Sequence, residues 1–238
     1  MVQKISNSNN VDEIEESIKR TLQKEISGEV RFDEITREIY STDASIYRML
    51  PLCVVIPKNT NDVKTIVQIA DENNIPILPR GGGSSLSGQT VNRAIVIDFS
   101  KYLNTVIDFD KQNKKVVVQP GISIDVLNNY LKPMNLLFTP DPSTTNRATV
   151  GGVIGNNSCG AHSVIYGKTI DHVSSLETIL SNGDTHRFEK LSFNKFESLL
   201  NKDSLESRIY SNSLNLFKEY TDEIEKRFPK IQRRVGGY

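Results

Sequence analysis

The apolar positions of this chain follow two different periods. Val11, Ile14, Ile18 and Leu22 recur near every 3.6 residues within an otherwise charged stretch, which predicts helix over residues 11 to 40. From about residue 45 the apolar residues instead gather in short runs. LCVVIP reads as a buried strand ended by proline, and IPIL and AIVIDF as further short strands bounded by turn residues. Between the first two lies NTNDVKTIVQIADENN, which opens on Asn/Thr caps and places Val63, Ile66, Val67 and Ile69 or Ala70 on one helical face. Farther on, NTVIDFDKQNKKVVVQPG predicts a hairpin with a polar turn and ISIDVLNNYLK a helix. SLETILSNGDTHRF predicts a second hairpin with Asn182-Gly183 at its tip. Beyond residue 190 the sequence is charged, with Leu, Phe and Ile at helical spacing. Four pieces result: a helical segment over 1–44, an α/β unit over 45–103, a second over 104–190, and a helical segment over 191–238.

Charge narrows the function. Lys+Arg and Asp+Glu both number 29, so the net charge is zero. That disfavours a general nucleic-acid or polybasic membrane binder, whose affinity rests on excess positive charge. The apolar runs fall far short of the roughly 20 residues of a membrane span. The opening MVQKISNSNNVDEIEE is polar and acidic, unlike a signal or transit peptide. Cys53 and Cys159 lie far apart and offer no disulfide framework, so a reducing cytoplasm is the expected setting.

Two glycine-rich segments interrupt the α/β pattern: PRGGGSSLSG and TPDPSTTNRATVGGVIGNNSCGAHSVIYG. Successive bare N–H groups can converge on an anion, Ser84, Ser85 and Ser87 add hydroxyl donors, and Arg80 can add charge. A tight turn needing positive φ is the plainer alternative, and one glycine would satisfy it. Familiar phosphate motifs fail. Gly88 is followed by Gln89 and not by the lysine of a Walker loop. A dinucleotide fingerprint starting at Gly81 puts Leu86 where its third glycine belongs, and the chain then continues to a strand.

In order along the chain, YSTDASIYRMLPLCVVIPKNTNDV, PILPRGGGSSLSGQTV, VVVQPGI, PDPSTTNRATVGGVIGNNSCGAHSVIYGKTIDHV and LSNGDT resemble the FAD-binding domain of the vanillyl-alcohol oxidase/PCMH superfamily. More narrowly, the sequence is similar to FAD-linked 2-hydroxyacid dehydrogenases of the D-lactate dehydrogenase, glycolate oxidase and D-2-hydroxyglutarate dehydrogenase type. NNSCGAHSVIYGKTIDHV and the terminal RRVGGY look most like long members with an iron–sulfur region after the flavin part. The resemblance implies an α+β fold, a PCMH-type FAD-binding domain of two α/β lobes that is incomplete at the C-terminus, with helical segments before and after. It implies that Arg80, Gly81, Gly82, Gly83, Ser84 and Ser85, with Gln89 beyond, wrap the FAD pyrophosphate. Pro142, Ser143, Thr149, Gly151, Gly152, Asn156, Ser158 and Gly160 would cradle the ribityl chain and flavin edge, and the Val173 backbone would lie near the adenine. Some relatives tether the flavin through a histidine in the first loop. Ser84 and Ser85 occupy that stretch here, so the FAD is expected to be non-covalent.

Other residues carry plainer expectations. Cys159-Gly-Ala-His162 has metal-like spacing without accompanying ligands, so no metal is expected and Cys159 is read as a small packing residue beside the flavin pocket. His186 is expected on an exposed hairpin. Asp98 and Asp141 are strand-end and turn carboxylates, and neither shows a partner that would make it a general base. Arg233 and Arg234 are expected to be solvated. The family's completing strand and its substrate-binding cap, which carries the catalytic histidines, lie beyond the resemblance, so no catalytic residue is assigned. The chain therefore reads as the front part of a flavin enzyme. It would act with a C-terminal cap/iron–sulfur polypeptide or the remainder of a longer chain, in the cytoplasm or peripherally at the inner membrane face through a partner. The alternative is a non-catalytic FAD-binding module or an inactive fragment.

Overall fold

The computed structural model describes residues 8–200, 202–231 and 236–237, with side chains from residue 15 onward. The first unit contains α1 (Ser8–Glu25), β1 (Glu29–Arg31), α2 (Glu34–Ile39), β2 (Cys53–Ile56), α3 (Thr60–Glu72), β3 (Ile77–Arg80) and β4 (Ile95–Asp98). Its strands form one sheet in the order β1-β2-β4-β3, with β1 antiparallel to β2 and the other neighbours parallel. Every residue of β2 and β4 is buried, as expected of central parallel strands covered on both faces. Cys53, Val55, Ile95 and Ile97 pack with Ile18, Leu22 and Ile26 of the N-terminal segment and with Ile66, Ile69 and Ala70 of α3. Val54, Ile56 and Val96 turn to the other face and meet Tyr40, Leu78 and Tyr102.

The predicted helix over 11–40 is broken. Gly28 approaches β2 so closely that an added Cβ would lie 2.4 Å from the Ile56 carbonyl oxygen. This contact lets Glu29–Arg31 join the sheet, and Asp33 then starts α2 by accepting from Thr36 N at 2.9 Å. Residues 1–44, expected as a helical segment apart from the first unit, thus supply it with a strand and with core residues. The Val11 and Ile14 side chains lie outside the described residues. Asp62 fixes the join. Burial pushes its carboxyl up, but hydrogen bonds from Ser27 N at 3.0 Å and Lys58 N at 2.8 Å prevail and lower its pKa.

A second core lies around β5 (Val106–Asp110), β6 (Lys115–Val118), α4 (Ile124–Leu131) and α5 (Val150–Gly155). Ile122, Ile124, Leu127, Leu131, Val150 and Val153 are its buried centre, with Val106, Phe109, Val116 and Val118 of the hairpin packed against them. The chain continues through α6 (Ser163–Tyr166) to the hairpin of β7 (Ser175–Ile179) and β8 (Thr185–Glu189), whose turn carries Gly183 at φ 81°. Both predicted hairpins form. Among the described residues, however, they remain separate two-stranded sheets, so residues 104–190 contain no common sheet. The helix-prone end becomes α7 (Phe193–Leu200) and α8 (Leu205–Arg227). Tyr210 on α8 meets the rings of Phe188 and Phe196, each with centroids 5.8 Å away. Arg233 and Arg234 lie outside the described residues.

Candidate functional site

Between the two cores runs a cleft of about 620 Å³. Tyr40, Arg80, Gly81, Gly82 and Asp98 line it from the first unit, and Ser123, Val126, Asn146, Arg147 and Thr149 from the second. Residues far apart in sequence meet at its floor. A Cβ on Gly81 would lie 2.0 Å from Thr149 Oγ1, and one on Gly82 would lie 2.1 Å from the Arg147 carbonyl oxygen. Close approach of the two glycine-rich segments thus explains both glycines. The space that a side chain would fill is occupied by the other segment and not by a ligand.

The amides tell a different story. The N–H groups of Gly82, Gly83, Ser84 and Ser85 find no acceptor among the described residues. Gly83 holds φ at +62°, a left-handed conformation inside this run. A succession of unpaired N–H groups around such a residue forms a concave, partially positive surface suited to an anion. The plainer turn reading accounts for the φ of Gly83 but leaves these donors unexplained.

Arg80, at the end of β3, is drawn into the fold. Its guanidinium donates to the carbonyls of Tyr40 at 3.1 Å, Thr90 at 2.9 Å and Thr42 at 2.8 Å, and it stacks 5.1 Å over the Tyr40 ring. Burial lowers its pKa, with Tyr40, Asp43 and Asp98 opposing. Tyr40 donates to Asp98 Oδ2 at 2.5 Å. Burial first, and then this carboxylate, push the phenol far above its ordinary range. Asp98 also accepts from Ser100 N at 2.7 Å. Sequence spacing could not reveal this hydrogen bond, because Tyr40 lies 58 residues from Asp98.

Of the expected site residues, Arg80, Gly81, Gly82 and Thr149 line the cleft. Gly83, Ser84 and Ser85 continue along the first loop, where the Ser85 hydroxyl donates to Gln89 Oε1. Thr149 caps α5 and accepts from Gly152 N at 3.4 Å, while Gly151 N donates to the Pro120 carbonyl at 2.8 Å. Pro142 and Ser143 belong to the loop before this cap. Asn156, Ser158, Gly160 and Val173 are not among the cleft-lining residues and form a second group. Asn156 Nδ2 donates to Ser158 Oγ at 3.2 Å, and the Ser158 carbonyl accepts from Thr169 Oγ1 at 2.7 Å in the turn that leads to Val173. Gly160 N donates to Ser163 Oγ at 3.0 Å.

Cys159 is a half-buried free thiol in this second group. His162, which follows it in sequence, pairs through Nδ1 with Asp141 Oδ2 at 2.6 Å, so the turn carboxylate is partnered too. Among the described residues no three His, Cys, Asp or Glu side chains converge as metal ligands would. His186 departs from its expected exposure. Its side chain is 20% exposed, with Nδ1 3.2 Å from Glu206 Oε2 on α8, because the C-terminal helices cover that face of the hairpin. Among the described residues no helix is long and apolar enough to cross a membrane. Sequence reasoning missed Tyr40, Asp98, Asn146 and Arg147 as cleft residues. Tyr40, Asn146 and Arg147 stood inside the quoted motifs, which was the available signal.

The architecture is the α+β fold of PCMH-type FAD-binding proteins. It matches the structure of alkyldihydroxyacetonephosphate synthase with a TM-score of 0.65 at 23% identity, over 73% of this chain and 35% of that one. The chain belongs to the FAD binding domain family, which matches residues 51–189. It is 38% identical over 201 residues to D-2-hydroxyglutarate dehydrogenase of Pantoea ananatis, covering 83% of this chain and 20% of the relative. It is 37% identical over 169 residues to glycolate oxidase subunit GlcD of Bacillus subtilis, covering 68% of this chain and 36% of the relative. The chain thus spans a fifth to about a third of these relatives.

Proposed function

We propose that this chain is the FAD-binding portion of a flavin-dependent oxidoreductase that oxidises a D-2-hydroxyacid of the D-lactate, glycolate or D-2-hydroxyglutarate class. Electrons would pass to an iron–sulfur or quinone acceptor on further polypeptide, which would also supply the substrate-binding cap. The observation that carries the reading is the row of unpaired amides from Gly82 to Ser85 beside a cleft built by both glycine-rich segments. These residues fit a pyrophosphate: backbone donors take phosphate oxygens without the desolvation cost of burying a cationic side chain. The second group, around Asn156 to Gly160, would hold the flavin end and the backbone at Val173 the adenine. Bound FAD supplies the hydride acceptor, while the residues of this chain orient it and shield it from water. With Ser84 and Ser85 where a histidyl link would need an imidazole, attachment is non-covalent.

Fluorescence titration tests the reading. FAD should bind more tightly than FMN, because only FAD carries a pyrophosphate between two ends. Gly82→Asp should abolish FAD binding by setting a carboxylate among the phosphate donors and against the Arg147 carbonyl. Equal or tighter binding of FMN would overturn the assignment.

A further inference from the structure

Among the described residues three charged side chains line the cleft: Arg80, Asp98 and Arg147. Asp98 is buried and accepts from Tyr40 and from Ser100. Arg80 has three of its donors on backbone carbonyls. Arg147 differs from both. It is exposed, and among the described residues its guanidinium has no hydrogen-bond, ion-pair or ring partner. Its backbone is held firmly, however. Arg147 N donates to the Thr144 carbonyl at 2.8 Å in a tight turn, and the neighbouring Ala148 is buried in the second core. A methyl group on Gly82 would lie 2.1 Å from Arg147 O and 3.4 Å from its Cβ. An unengaged cation on a fixed backbone therefore stands beside the first of the four unpaired amides.

We infer that Arg147, and not Arg80, is the charged side chain that recognises the ligand's phosphate groups, closing over the anion from the second lobe while the amides of Gly82 to Ser85 hold it from the first. Guanidinium and phosphate form charge-assisted, often bidentate hydrogen bonds, and here the donor has no competing intramolecular acceptor to leave. Arg147 is a specificity-determining residue. It discriminates phosphorylated flavins from riboflavin, whereas the flavin ring is held elsewhere. The inference rests on the FAD reading above for the identity of its anion.

The test uses the full chain as wild type, Arg147→Gln and Arg147→Lys, titrated with FAD, riboflavin and inorganic pyrophosphate at low and high salt. Loss of a hydrogen bond to a charged group is expected to weaken FAD about ten- to a hundredfold in R147Q. Riboflavin affinity should not change, R147K should keep part of the FAD affinity, and R147Q should show a shallower salt dependence. Undiminished FAD binding by R147Q would overturn the inference. An equal loss of FAD and riboflavin would also overturn it, because that pattern belongs to a structural role. Wild-type protein that binds pyrophosphate in an Arg147-dependent way but not FAD would sink the cofactor reading and keep the anion site. Wild-type protein that binds neither would sink both.

Discussion

Arg80 and Arg147 bring the same functional group to one cleft, and their surroundings give them opposite tasks. Arg80 gathers the carbonyls of Tyr40, Thr42 and Thr90, three points on chain that has no regular structure to satisfy it. Replacing it by glutamine leaves those acceptors without a donor of equal reach. An Arg80→Gln variant should therefore lose about 2 kcal/mol of unfolding free energy, read as a shifted denaturant midpoint at constant slope. Arg147→Gln should stay within about 0.5 kcal/mol of wild type in the same experiment, as surface substitutions usually do. A stability loss in R147Q as large as in the Arg80 variant would contradict this division. Nothing in the sequence separates the two arginines, since each follows a motif residue and precedes a small one. Only the fold decides which guanidinium finds carbonyls.

The short strand β1 shows what an element gains from its neighbours. Glu-Val-Arg has no periodicity to announce a strand, and its place comes from pairing with β2 and from the turn at Gly28. Its first residue is anchored outside the core. The Glu29 carboxylate accepts from Lys101 Nζ, from Tyr102 Oη at 2.6 Å and from Arg31 Nη2 at 2.6 Å. Lys101 first, then Tyr102 and Arg31, hold its pKa down to about 2. A depressed carboxyl contributes stability that is fully present above its ordinary pKa, 4.5, and is lost as pH falls toward about 2. Thermal melts across that window should show the loss in wild type and a flatter profile in Glu29→Gln. Identical profiles would mean that the cluster does not hold β1. By contrast, β2, β4, α3 and both hairpins were legible beforehand, because continuous apolar runs, capped amphipathic faces and an Asn-Gly turn are local signals. What lay hidden was long-range: the pairing of Tyr40 with Asp98, of Asp141 with His162, and of His186 with Glu206.

At the scale of the whole molecule, the cleft offers a row of unpaired amides, and among the described residues its lining includes no histidine and no carboxylate other than Asp98. Tyr40 commits its proton to Asp98, whose two oxygens each accept one hydrogen bond, Oδ2 from Tyr40 and Oδ1 from Ser100 N. The three histidines of the chain line no part of the cleft. Apolar side chains stand exposed at Ile107 and Val117 on the first hairpin and at Leu216 and Phe217 on α8. Residues 1–238 alone should therefore show no turnover of D-lactate, glycolate or D-2-hydroxyglutarate with a dye acceptor, and activity should require added polypeptide. Robust turnover by this chain would overturn that expectation and direct attention to His162, held by Asp141.

The interlocked floor of the cleft has a thermodynamic consequence. Thr149 Oγ1 and the Arg147 carbonyl fill the side-chain positions of Gly81 and Gly82, so the amide row keeps its shape only while the two cores stay docked. An anion that needs both segments binds the docked arrangement and not the parted one. By linkage, each tenfold rise of ligand above its dissociation constant then adds about 1.4 kcal/mol to the cohesion between the cores. Anything that loosens their contact weakens the ligand in proportion to the docked fraction it removes. Ligand affinity and interlobe cohesion are thus coupled reciprocally through the docked state.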